Sequence, residues 1–113
     1  MTCTQYTYGS PMVGNAQLAT FITNQTGGNF RVTHADDIVP KVPGYPVGYA
    51  HVSPEYWITS ATNDPVTMAD IEVSSGVLDI QGNDGTLLSS VTDHLWYFNA
   101  ISGCAPAFSI TKA

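Results

Sequence analysis

The chain has 113 residues, 43% hydrophobic and only 11% charged, which gives room for one domain with a core and argues against disorder, a state that needs high charge and low hydrophobicity. No window approaches the ~18 consecutive apolar residues of a membrane-spanning helix. The net charge of −6 sets nine acids against Arg31, Lys41 and Lys112, too few cations for the basic stripe that nucleic acids or anionic membrane surfaces require.

The N-terminal stretch Met1-Thr2-Cys3-Thr4-Gln5-Tyr6 has no basic segment and no apolar h-region. The expectation is that it holds no signal peptide, and that a secreted parent would begin upstream. Gln5-Tyr6-Thr7-Tyr8 predicts a short strand, stopped by Gly9-Ser10-Pro11. Asn15 then reads as a helix N-cap. Leu18, Phe21 and Ile22 follow on one helical face, and Gly27-Gly28 gives the stop. Asn29 to His34 alternates strictly and ends at Asp36-Asp37. Strand, helix and strand with turn signals between them predict a right-handed β-α-β crossover, and therefore a parallel sheet.

Pro40, Pro43 and Pro46 recur every third residue with Gly44 and Gly48 among them, which excludes helix and predicts an extended polyproline-like surface loop. Glu55-Tyr56-Trp57-Ile58-Thr59 reads as an aromatic-rich strand. Between Thr62 and Asp93 the chain is rich in Gly, Ser, Asn and Asp, with weak strands expected at Met68–Val73 and Val77–Ile80. Thr92 or Asp93 is expected to cap a short helix from His94 to Ile101, apolar on nearly every side and hence buried, with Gly103 ending it. Residues 105–113 read as a loose C-terminal tail.

Cys3 and Cys104 lie at opposite ends of the chain with no metal-ligand spacing. They could pair with each other, pair with cysteines elsewhere, or stay free. Asn24-Gln25-Thr26 is an N-glycosylation sequon, relevant only in the secretory pathway. Of the three histidines, His34 follows a strand and precedes Asp36-Asp37, His51 lies among aromatics and His94 opens the expected last helix. A carboxylate just past a parallel strand stands where open α/β sheets place ligands. An Asp followed later by a His is the second half of the Ser…Asp…His order of α/β-hydrolases. No two histidines have the spacing of metal ligands.

Five blocks occur in order: Tyr8-Gly9-Ser10-Pro11-Met12-Val13-Gly14-Asn15, Arg31 to Pro40, Gly48-Tyr49-Ala50-His51, Ser53-Pro54-Glu55-Tyr56-Trp57-Ile58 and Asp93-His94-Leu95-Trp96-Tyr97-Phe98. Together they closely resemble the C-terminal part of secreted fungal class 3 lipases, an α/β-hydrolase family that also includes feruloyl esterases. The resemblance runs from about Tyr6 to Cys104 and implies one partial α/β-hydrolase domain over 1–113, with a partial parallel sheet and flanking helices. It implies Asp37, the acid directly before Ile38-Val39-Pro40, as catalytic acid and His94 as catalytic base. Asp36 would be a turn residue or hydrogen-bonding neighbour, and His34 and His51 non-catalytic. The family needs no metal or other cofactor for its chemistry.

The resemblance further implies hydrolysis of a carboxylic ester, most of all an acylglycerol at a lipid–water interface, without stable membrane insertion. It implies a secreted, extracellular parent, and the missing N-terminal half of the domain as partner. The sequence departs from the family in two respects. Met12 stands where relatives usually carry Arg, and no serine lies in a G-x-S-x-G nucleophile elbow. The family keeps that elbow and its oxyanion donors upstream of the tyrosine-rich strand. Cys104 resembles the family's terminal cysteine, whereas Cys3 matches no family cysteine. Two other readings stand beside lipase: a feruloyl-esterase-type hydrolase, and a non-catalytic remnant that binds lipid or protein through its sheet edge.

Overall fold

The computed structural model describes residues Met1–Gly103; the expected tail at 105–113 and Cys104 lie outside the described residues. Strand β1 (Gln5–Tyr8), helix α1 (Ala16–Thr23) and strand β2 (Asn29–His34) form the predicted crossover. β1 and β2 are parallel, with Tyr8 opposite Val32. The N-cap of α1 is the expected one, since Asn15 Oδ1 accepts the Leu18 N–H at 3.0 Å. Gly27 is fixed by close approach as well as by its φ of +120°, because a Cβ there would stand 1.9 Å from the Cys3 carbonyl oxygen.

The buried face of α1 differs from the expected one. Ala19 is buried, while Leu18 and Phe21 are 42% and 63% exposed. The buried face of α1 is thus centred on a small side chain, with Ile22 half-buried beside it, and the two larger apolar residues turn outward.

Strand β3 (Glu55–Ile58) joins β2 in parallel, with His34 opposite Ile58. Strand β4 (Ile71–Ser74) closes the order β1-β2-β3-β4 as an antiparallel edge. The sheet with α1 is the parallel part of an α/β fold. Val32, Ile58 and Tyr97 form its small apolar core, with Tyr56 and Val66 packed against them.

Four expected elements are corrected. Met68–Asp70 is a 3-10 turn held by a Thr67/Asp70 capping box, so the strand begins only at Ile71. No strand forms at Val77–Ile80, where the chain runs irregularly. The proline-rich segment contains two 3-10 turns, Val39–Lys41 and Tyr45–Val47. Pro40 and Pro46 sit in the first turn of each, where the missing N–H has no intrahelical partner to lose and the fixed φ suits the turn. The largest correction concerns His94–Ile101, which is not a helix. A 3-10 turn at Asp93–Leu95 leads into a tiny hairpin of β5 (Trp96–Tyr97) and β6 (Asn99–Ala100), with Phe98 at φ +62° between them. Aromatic residues favour extended backbone, and the hairpin turns Tyr97 inward toward β2.

Candidate active site

Asp37 lies three residues beyond the end of β2, across a turn in which Ala35 adopts φ +39°. Its side chain is fully buried and every oxygen is engaged. Oδ1 accepts the Val39 N–H at 2.8 Å, and Oδ2 accepts from His94 Nδ1 at 2.9 Å and from the Tyr97 hydroxyl at 2.5 Å. Since a carboxylate only accepts, His94 carries a proton on Nδ1, and Nε2 is the ring nitrogen left outside the pair. The His94 side chain is 29% exposed while Asp37 is fully covered, so the pair has one dry end and one open end.

Gly9, at the end of β1, walls the pair on another side. A Cβ on Gly9 would lie 2.9 Å from Asp37 Oδ2, His94 Cε1 and His94 Nδ1. With φ at +63°, the position also disfavours any other residue. Tyr97 is held edge-on against His34 at 5.8 Å and Tyr8 at 6.1 Å between ring centroids. Burial, reinforced by its bond to Asp37, pushes the Tyr97 phenol far above its ordinary value, so it remains a donor.

The structure brings Asp37 and His94 together and leaves Asp36 facing elsewhere. Asp36 acts through its backbone: its N–H donates to Asp93 Oδ2 at 3.2 Å, and its carbonyl accepts the Ser90 N–H at 2.8 Å. His34 is fully buried, with its ring nitrogens 2.9 Å from the carbonyl oxygens of Asp93 and Ser60, which anchors the residue before His94. Buried His51 donates from Nε2 to the Pro40 carbonyl at 2.6 Å and so anchors the turn after Asp37. Burial, with the nearby Arg31 guanidinium, lowers its pKa to about 4. Asp84 lies 3.7 Å from His51 Nε2, but its own carboxyl is pushed up by burial, which weakens it as a counter-charge.

Asn83 carries no motif that singles it out in the sequence. It sits in Gly82-Asn83-Asp84-Gly85, which reads as an ordinary turn. Its fully buried side-chain amide donates to the carbonyls of Ala35 at 3.1 Å and Asp37 at 3.0 Å, so it clasps both ends of the turn that presents Asp37. Its backbone N–H donates to Glu55 Oε1 at 3.3 Å, and the same oxygen takes the Thr33 hydroxyl at 2.6 Å. Glu55 also pairs with buried Arg31 at 3.5 Å, so a polar layer underlies the site. Tyr97 and Gly9 were likewise visible only as members of sequence blocks. Among the described residues no three His, Cys, Asp or Glu side chains converge as metal ligands would.

The family described as Lipase (class 3) matches residues 1–46. Secreted mono- and diacylglycerol lipase A of Penicillium camembertii is 55% identical over 96 residues, covering 82% of this chain and 31% of the relative. Secreted mono- and diacylglycerol lipase 1 of Fusarium solani is 45% identical over 102 residues, covering 89% of this chain and 31% of the relative. Among solved structures, the mono- and diacylglycerol lipase of Aspergillus oryzae superposes with a TM-score of 0.79 at 46% identity, over 84% of this chain and 37% of that one. A structure described for an unusual buried polar cluster in a family of fungal lipases gives 0.83 at 49% identity, over 89% of this chain and 38% of the other. The chain thus spans about a third of the length of the curated relatives it matches. It belongs to the class 3 lipase family and forms one part of that family's α/β-hydrolase fold.

Proposed function

We propose that this chain supplies the acid and the base of a Ser-His-Asp site that hydrolyses acylglycerols, within an extracellular parent. The observation that carries the reading is the buried Asp37 Oδ2 bonded at 2.9 Å to Nδ1 of a partly exposed histidine, which leaves Nε2 open. In this role His94 Nε2 takes the proton of an attacking serine hydroxyl and returns it to the departing alcohol. Asp37 fixes the tautomer and stabilises the imidazolium that forms between those two steps. Val91 and Leu95, on either side of His94 in the chain, are 66% and 45% exposed and offer apolar surface to an acyl chain. The secreted mono- and diacylglycerol lipases among the relatives support the substrate class and the extracellular setting.

No serine of this chain stands in a G-x-S-x-G elbow. The nucleophile and its oxyanion donors therefore have to come from sequence outside these 113 residues, and without them His94 has nothing to activate. The test is a graft in which this chain replaces the aligned segment of the Penicillium camembertii lipase. The graft is expected to hydrolyse monoacylglycerol, while a polypeptide of these 113 residues alone shows no saturable hydrolysis of a nitrophenyl ester. An inactive but folded graft, or hydrolysis by the chain alone that disappears in His94→Ala, overturns the reading.

A further inference from the structure

We propose that Asn24 is an N-glycosylation site and carries an oligosaccharide on the side of the fold remote from the Asp37–His94 pair. The sequon Asn24-Gln25-Thr26 occupies the turn that ends α1, and all three residues are exposed. Asn24 is the C-cap, at φ −86° and ψ 0°, and its structural hydrogen bond runs from its backbone N–H to the Thr20 carbonyl at 3.1 Å. The fold does not use its side chain as a cap, which leaves the amide available.

Topology places this turn away from the chemistry. α1 leaves the C-terminal end of β1, beside Gly9 and the Asp37–His94 pair, and returns to the N-terminal end of β2. Asn29, at that lower end, is tied to α1 by its Nδ2 bond to the Ile22 carbonyl at 3.0 Å. The six residues of β2 separate this end from His34 by about 17 Å. Side chains at a helix end lean back toward the preceding turn. An attached sugar therefore lies toward exposed Phe21, three residues earlier, and away from the sheet.

In the transfer, the Asn24 amide nitrogen bonds to the anomeric carbon of a lipid-pyrophosphate-linked oligosaccharide. The bond from that carbon to the pyrophosphate oxygen breaks with its electron pair, the lipid pyrophosphate leaves, and the amide gives up one proton. The Thr26 hydroxyl completes the acceptor tripeptide. The inference depends on passage through the secretory pathway and is independent of the hydrolase reading.

The test is secretion of the full chain from yeast behind a heterologous leader, followed by intact-mass and peptide mass spectrometry. The wild-type chain is expected to carry a mass increment that peptide-N-glycosidase removes, leaving aspartate at position 24 in the digested peptide. Asn24→Gln and Thr26→Ala are expected to lose the increment, and Thr26→Ser to keep it. A secreted wild-type chain without the increment overturns the proposal. So does an increment that survives Asn24→Gln or resists the glycosidase, since either places the modification on another atom, such as a threonine hydroxyl.

Discussion

Tyr97 and His94 both donate to the same Asp37 oxygen, so the hydroxyl competes for the negative charge that holds the imidazole. In the graft, Tyr97→Phe leaves a fully buried carboxylate one donor short and is expected to cost about 1.5–3 kcal/mol, read from the denaturant midpoint at unchanged m-value. An unchanged midpoint would show that the phenol bond carries no weight. Gly9→Ala acts on the pair from the other side. Its Cβ meets Asp37 Oδ2 and His94 Nδ1 at 2.9 Å in a backbone conformation that alanine disfavours, so the downfield Nδ1–H proton signal of His94 is expected to vanish from the NMR spectrum.

At the scale of elements, the turn at Ala35–Asp37 is held by a side chain far away in sequence. Asn83→Ala removes the donor of the buried Asp37 carbonyl, while the Ala35 carbonyl keeps the Trp57 Nε1–H at 3.0 Å, and is expected to lower the stability of the graft by about 1–3 kcal/mol. The loosened turn should also lower kcat/KM by about tenfold or more, because small displacements of a catalytic group are costly. A variant with wild-type midpoint and kcat/KM would contradict the clasp. The same contrast explains what the sequence revealed. The β1-α1-β2 unit was legible because its signals are local: the Asn15 cap, the alternation from Asn29 to His34, and the glycines at 27 and 28. The segment from His94 to Ile101 was misread because a dense apolar run fits a buried helix and a buried hairpin alike. What decides between them is the long-range demand that Tyr97 reach Asp37 and His34. Asn83 was invisible because its role comes from contacts across the sheet and not from its neighbours. The resemblance implies Asp37 rather than Asp36 from its place directly before Ile38-Val39-Pro40, and in the structure Asp37 Oδ2 lies 2.9 Å from His94 Nδ1.

At the scale of the whole molecule, the interior formed by the described residues is unusually polar. Arg31, Thr33, His34, Asp37, His51, Ser53, Glu55 and Asn83 are buried, whereas Leu87 and Leu88 are 101% and 70% exposed. So little apolar burial gives a weak hydrophobic driving force, and the 113-residue polypeptide alone is expected to lack a sharp cooperative unfolding transition in calorimetry. A single sharp endotherm would contradict that expectation. His51 adds a pH dependence. Its folded pKa of about 4 lies below the unfolded value near 6.5, so the unfolded chain binds more protons between those limits. Stability in the graft is therefore full above about pH 6.5, falls as the pH drops toward 4, and then levels off. The total contribution is up to about 3 kcal/mol. His51→Gln should flatten that acid limb, measured as midpoint against pH.

The central claim is that Asp37 and His94 are the working acid and base of an ester hydrolase. The most direct test is kcat/KM for monoacylglycerol in the graft carrying His94→Ala, Asp37→Asn or, as control, Asp36→Asn. The first two are expected to fall by about 10⁴-fold with the fold intact, and the control to stay within a few-fold of the unmutated graft. Near-normal turnover in either of the first two variants, or a collapse confined to Asp36→Asn, would contradict the account.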